Sequence, residues 1–271
     1  ILKNGTLEHN RTGIDTIKLP GYFLEFDLAK EFPVLTTKQL FFKNAITEML
    51  WFYQAQSNDV RWLQERNNHI WDEWCNPQKV PYGNDEETKA KMLAEKDLGP
   101  IYGSQWVCFN GDAEKGNQLK NVIETIKKDP TSRRLIVSAW NPLQLNQMAL
   151  PPCHVGFELL CYPEQGTIDI LWAQRSCDSF LGVPYDLASY ALLLTLICKE
   201  TSYKPGSVYG MLGSCHIYEN HLDVVKELSR PTHKLPTIEI ENWKSIWDWE
   251  YTDVKLLNYE SEGRLVGAIA V

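Results

Sequence analysis

HVGFELLCYPEQGTIDILWAQRS, residues 154–176, decides how this chain folds. HVGFELLCY (154–162) and GTIDILWAQRS (166–176) are rich in β-branched, aromatic and aliphatic residues and flank a GluGlnGly turn, the pattern of two paired strands. Downstream, LASYALLLTLICKE (187–200) is apolar on nearly all sides, which predicts a buried helix, and SVYGMLGSCHIY (207–218) reads as a further strand. Upstream, RRLIVSAW (133–140) is a strand before an AsnPro turn, and 117–129 a helix ending before AspPro. The stretch 43–66 has helical spacing at Ile46, Met49, Leu50, Phe52 and Tyr53. SerAsnAsp at 57–59 breaks it, and a second helix is expected from Val60. Residues 75–98, polar and interrupted by Pro77, Pro81 and Gly83, read as an exposed insertion with a short helix in ETKAKMLAEK. The tail returns to strand-like text and ends GAIAV. Helices and strands interleave without a regular βαβ alternation. The expectation is α+β, one domain over 1–271.

Composition narrows the function classes. The chain has 271 residues, 44% hydrophobic and 23% charged, the balance of a globular protein. Its net charge of −8 argues against a duplex-binding protein, which carries a basic face. No run of about 18 apolar residues is present to span a membrane. Seven cysteines without CxxC spacing point to a reducing compartment rather than to disulfides or a metal site. No leader is read at the start, and a cytoplasmic protein is expected. Ten Trp, 12 Tyr and 9 Phe are enough to wall an aromatic pocket, although most aromatics simply fill a core.

Candidate chemistry starts at ALPPCHVGF (149–157), where Cys153 follows two stiffening prolines. A fixed thiol is a nucleophile when a nearby cation favours its thiolate; otherwise it is a packing residue. Arg11 in NRTG, Arg133 and Arg134 in TSRR, and Arg175 in QRSCD supply cations whose planar forks suit phosphate. Glu48, on an apolar helix beside Trp51, is expected to be desolvated and so to work as an acid or base near neutral pH. A Cys153–His154 hydrolase dyad is disfavoured, because neighbours on a strand point to opposite faces.

These stretches carry a resemblance. NRTG (10–13), FPVLTTK (32–38), EMLWF (48–52), IWDEW (70–74), LGPIYGSQW (98–106), SRRLIVSAWNP (132–142), MALPPCH (148–154), QRSCDSFLGVP (174–184), ASYALLL (188–194), CHIYENHLD (215–223) and the closing AIAV resemble the thymidylate synthase superfamily in order and spacing. The resemblance implies a mixed β-sheet covered by helices and a homodimer formed through the sheets. It implies addition of a thiolate to C6 of a pyrimidine deoxynucleotide, after which C5 takes the one-carbon unit of 5,10-methylenetetrahydrofolate, with no metal. Cys153 is then the nucleophile. Arg11, Arg175 and Ser176 hold the 5′-phosphate, with Arg133 and Arg134 reaching across from the second subunit. Glu48 organises proton transfers, Tyr102 assists proton removal at C5, and His216 and Tyr218 bind the sugar. Lys38, Trp71, Trp74, Asp178, Leu181, Gly182 and Tyr185 line the folate site, over which Val271 closes.

Asp186, in FLGVPYDLASY (180–190), departs from the pattern, because thymidylate synthases carry Asn there. The residue has a bland reading as the cap of the helix that follows. In the family reading it faces the base edge. Asn pairs with the O4 and N3–H of uracil; a neutral Asp can accept from the amino group of cytosine and donate to its N3. The dCMP hydroxymethylases of the superfamily carry Asp here, and they resemble LGSCHIY (212–218) in having Ser214. The expectation is therefore a dCMP enzyme. IWDEW and AIAV are features of the methylating enzymes, which favours methyl transfer; hydroxymethylation of dCMP and a thymidylate synthase that tolerates Asp186 are the alternatives. A viral enzyme acting in a host cytoplasm and a bacterial one are equally readable. A non-catalytic nucleotide- or nucleic-acid-binding protein is disfavoured, since the thiol and the arginines are all present.

Overall fold

The computed structural model describes residues 1–55, 58–76 and 85–270. Three short strands, β1 (Thr6–Glu8), β2 (Thr16–Leu19) and β3 (Tyr22–Asp27), precede the first helix. None of the three stands out in the sequence, because each is short and much of each is solvent-facing. The 43–66 stretch divides as its SerAsnAsp break predicts, into α1 (Phe42–Tyr53) and a single turn, α2 (Arg61–Gln64).

The supposed insertion is only partly exposed. Within it α3 (Glu86–Ala94), capped by the Asp85 carboxylate accepting from the Thr88 N–H at 2.8 Å, buries Met92, while Cys75 and Leu98 are also buried. A single apolar residue per helical turn is too sparse a signal to betray this in a charged sequence; residues 77–84 lie outside the described ones. Next come α4 (Tyr102–Val107), α5 (Gln118–Lys128) and β4 (Ile136–Ser138).

The deciding stretch is an antiparallel pair, β5 (His154–Tyr162) and β6 (Thr167–Asp178). Helix α6 (Gly182–Thr201) crosses over to β7 (Lys204–Tyr218), which runs parallel to β6. The mixed sheet runs β1-β2-β7-β6-β5-β4, with β3 also paired to β7. After it come α7 (Leu222–Lys226) and a separate hairpin-like pair, β8 (Thr237–Ile240) and β9 (Val254–Leu257). The GAIA of the strand-like tail forms no strand.

One sheet face is apolar and covered. Phe157, Ile170, Trp172 and Val208 are buried there, and α6 packs against β6 and β7. On the other face Phe23, Met211 and Ile136 stay exposed. The β5–β6 register slips between His154 and Gly156, so Val155 is an extra residue. That bulge turns His154 to the covered face, beside Gln174.

Helix α6 begins five residues earlier than its apolar run. Asp186 is thus its fifth residue and not its cap; the capping position is Leu181, with no side-chain cap bond. Pro184 makes the start look like a loop in the sequence. Proline is tolerated in a first turn because its missing N–H would be unpaired anyway.

Candidate active site

The site lies where α1, α4, the start of β5, the end of β6 and the start of α6 meet. Cys153, half-buried just before β5, donates its backbone N–H to the Tyr102 hydroxyl at 2.6 Å. Burial pushes the thiol up; Arg175 and, more weakly, Arg11 pull it down, while Asp186 opposes them. Within one chain, burial thus outweighs the arginine field expected to depress the thiol. Arg133 and Arg134 are exposed on the way into β4. Arg175 is folded onto its own chain, donating from Nε to the Pro152 carbonyl at 2.9 Å and from a terminal nitrogen to that of Pro151 at 2.8 Å.

On the covered side two carboxyl groups lie close enough to act on each other. Glu48 Oε1 accepts from the Trp71 indole at 2.7 Å. Burial pushes Glu48 up to about 8, the Trp71 bond opposing and the Asp186 charge adding. Asp186 Oδ2 accepts from the Gln174 amide at 2.8 Å, and Oδ1 lies 3.7 Å from His154 Nε2. Burial pushes Asp186 up to about 7, with the Gln174 bond opposing and Asp178 adding. His154 stacks on Tyr102 with centroids 4.3 Å apart, and its Nδ1 is 3.0 Å from the Tyr190 hydroxyl. Burial drives its pKa down to about 3, so it is neutral near pH 7. His154 thus has Tyr102, Tyr190 and Asp186 as its neighbours.

The expected sugar and phosphate residues gather at the β6–β7 ends, where Ser176 pairs with Ser214 and Asp178 with His216. His216 Nδ1 is 3.0 Å from the Ser214 carbonyl. That carbonyl only accepts, so Nδ1 carries a proton and donates to it. Tyr218 meets the His216 ring edge-on at 5.2 Å. Arg11 is exposed before β2.

The residues expected to hold a folate form a wall from α1 to α6. Asp178 Oδ1 accepts from the N–H groups of Phe180 and Leu181, both at 3.0 Å. Buried Lys38 donates to the Phe180 carbonyl; burial lowers its pKa to about 8, and Asp178 opposes this. Tyr185 accepts from the Phe41 N–H at 3.2 Å. Trp71 lies 6.4 Å from Trp74 and is itself buried, so its first job is to hold Glu48. A Cβ at Gly182 would lie in ordinary contact with Asp186 Oδ2 at 3.6 Å and Asp178 Cβ at 3.7 Å, so the α6 start packs directly onto both carboxyl side chains. Aromatic faces and a carboxylate fit a flat, polar heterocycle. Val271 lies outside the described residues. Among the described residues no cluster of metal-ligating groups occurs.

Sequence reading missed Gln174 and Tyr190, which reach Asp186 and His154. Gln174 had a signal, a polar residue closing an apolar strand beside Arg175; Tyr190, inside an apolar helix, had none.

A thiol, two protonatable carboxyl groups and a neutral imidazole brought close together are groups suited to covalent chemistry on a polar ring. Comparison with known proteins agrees with that class: the family model described as thymidylate synthase matches residues 1–271, and the chain belongs to that family. It is 41% identical over 284 residues to a thymidylate synthase of Mycoplasma pneumoniae, covering 100% of this chain and 96% of that protein. It is 42% identical over 284 residues to one of Mycoplasma genitalium, with the same coverage. Folate-dependent C5 methylation of a pyrimidine nucleotide, with methylenetetrahydrofolate as cosubstrate, is the chemistry of this family.

Proposed function

We propose that this chain methylates C5 of dCMP, making 5-methyl-dCMP through a Cys153–C6 adduct. The observation that carries the reading is Asp186: a half-buried carboxyl, pushed up to about 7, where uracil recognition calls for an amide. In its neutral form it accepts from the cytosine amino group and donates to N3. When ionised it turns an acceptor toward uracil O4, and a buried acceptor pair is costly. Sites that read polar edges discriminate by several orders of magnitude.

The Cys153 thiolate adds to C6, and electron density moves to C5, which takes the one-carbon unit of the folate. Loss of the C5 proton releases tetrahydrofolate from the unit, hydride from that tetrahydrofolate reduces it to methyl and leaves dihydrofolate, and the C6–sulfur bond breaks to return the Cys153 thiolate. Tyr102, hydrogen-bonded beside Cys153, assists loss of the C5 proton, and Glu48 carries protons at the base. Arg11, Arg175 and Ser176 hold the phosphate, and His216 and Tyr218 the sugar hydroxyl. Lys38, Trp71, Trp74, Asp178, Leu181, Gly182 and Tyr185 bind the folate, with Val271 closing over it. The 271 residues act as one catalytic domain. Two chains pair through the exposed sheet face of Phe23, Met211 and Ile136, so that Arg133 and Arg134 complete the partner's phosphate site and the field on its thiol.

The two relatives named thymidylate synthase favour a second reading, dUMP to dTMP, with Asp186 as a neutral acid turned the other way. Purified protein given methylenetetrahydrofolate with dCMP and with dUMP, the products weighed by mass spectrometry, separates them. Methylated dCMP is the expected product. Turnover of dUMP alone makes the chain a thymidylate synthase with an unusual residue, and a hydroxymethyl mass replaces the methylation step.

A further inference from the structure

Behind Asp186 the covered face of β6 carries a polar relay to which the reaction assigns no role. Trp172 is fully buried, and its indole N–H donates to Gln174 Oε1 at 3.0 Å. An indole N–H can only donate, so Gln174 must turn its carbonyl toward Trp172 and its NH2 away. That NH2 donates to Asp186 Oδ2 at 2.8 Å and to the Ser176 carbonyl at 3.0 Å. Oδ2 is thereby held as an acceptor. When the carboxyl takes a proton, Oδ1 carries it.

Trp172 is itself fixed. Its ring stacks on Tyr190 at 5.2 Å and 10°, and it fills the space over Gly210, where a Cβ would lie 2.6 Å from the indole. The Tyr190 hydroxyl reaches His154, whose Nε2 faces Oδ1. The contacts close into a ring: Trp172, Gln174, Asp186, His154, Tyr190 and back to Trp172.

A carboxylic acid free to place its proton on either oxygen matches uracil and cytosine equally well. Fixing the proton on one oxygen removes that freedom. We infer that Trp172 is a positioning residue for base selection: through Gln174 it sets which Asp186 oxygen donates and which accepts. The inference rests on the reading that Asp186 faces the base edge, but not on which base is preferred. The titratable groups coupled to Asp186 are Glu48 from α1, Tyr102 from α4, Cys153 and His154 at the β5 start, Asp178 and Cys177 from β6 and Tyr190 from α6.

Trp172→Phe keeps the stacked ring and removes the N–H. The experiment measures kcat/KM for dCMP and for dUMP on wild type and variant, across a pH series. The ratio of the two is expected to move toward one by about fivefold, the effect of one net hydrogen bond. The pH at which the ratio changes is expected to rise, because the loosened Gln174 no longer holds the Asp186 carboxyl down. A packing defect scales both substrates together and leaves ratio and profile where they were; that result overturns the inference. Should Trp172→Phe not fold, Gln174→Met, near-isosteric without the amide, is expected to shift the ratio further, and an unmoved ratio there overturns it equally. A wild type that prefers dUMP refutes the dCMP reading and leaves the relay to be judged by the same ratio; a wild type without preference refutes the relay.

Discussion

The two ends of the candidate site face opposite electrostatic problems. At the end proposed for the phosphate the arginines are exposed: Arg175 hydrogen-bonds to the Pro151 and Pro152 carbonyls, and Arg133 and Arg134 lie at the surface before β4. At the base end Glu48, Asp186 and His154 are desolvated, and each is pushed toward its neutral form, to about 8, about 7 and about 3. Cys153 sits between, raised by the dry end and lowered by Arg175 and Arg11. A neutral ring edge is read by groups kept from ionising. Within one chain the thiol is pushed up by burial more strongly than Arg175 and Arg11 pull it down, and in the proposed dimer the partner's arginines would add to that pull.

The largest expected effect removes the group between the two ends. Cys153→Ser should lower turnover by about 10⁴-fold or more, since an alkoxide is far less accessible than a thiolate. Full turnover by this variant would refute covalent catalysis. Asp186→Asn should come next. It keeps the Gln174 bond but presents an amide N–H donor, and should shift the dCMP-to-dUMP preference toward dUMP by about 100-fold or more. Parallel kcat/KM measurements check it, and an unmoved preference would remove Asp186 from base recognition. Glu48→Gln keeps the Trp71 bond and loses the proton carrier, so kcat should fall by about 10²- to 10³-fold with nucleotide KM little changed.

The charged end gives a smaller, oligomer-dependent effect. Arg133→Ala with Arg134→Ala in one chain should weaken nucleotide binding about tenfold per lost charge-assisted contact. Mixed with Cys153→Ser chains at low nucleotide concentration, the double variant should reach turnover well above that of either alone, because one site in the hybrid then holds both an intact thiol and intact arginines. No such gain on subunit exchange would mean that each site is built from one chain.

Much of this contrast was legible in the sequence. The paired strands at 154–176, the helix after them and Glu48's apolar surroundings follow from periodicity alone. What escaped reading depends on non-local geometry. The α6 start was hidden by Pro184, whose tolerance depends on where the helix begins. The Val155 bulge reverses a face, so alternation alone could not place His154 beside Gln174. The thiol's environment was read as cationic because the arginines are conspicuous, whereas desolvation, which a string of letters does not display, acts more strongly within one chain.

The smallest expected effect tests the dry end by stability. Glu48 and Asp186 have folded pKa values raised from 4.5 to about 8 and from 3.8 to about 7. Between those limits the unfolded chain has released protons that the folded chain keeps, so both groups make stability fall as pH rises. His154, lowered from 6.5 to about 3, acts in the other direction, since below its unfolded value the unfolded chain takes up a proton the folded chain refuses. The wild-type melting curve blends the two slopes. Comparison with isosteres separates them, because Glu48→Gln and Asp186→Asn keep the Trp71 and Gln174 hydrogen bonds, keep His154 and delete only the carboxyl titration. Each variant should match the wild-type Tm near about pH 4 and exceed it progressively up to about pH 8, with the Glu48→Gln difference still growing after that of Asp186→Asn has levelled. Differences that stay flat with pH would mean that water reaches both carboxyls, and that the base end is no drier than the phosphate end.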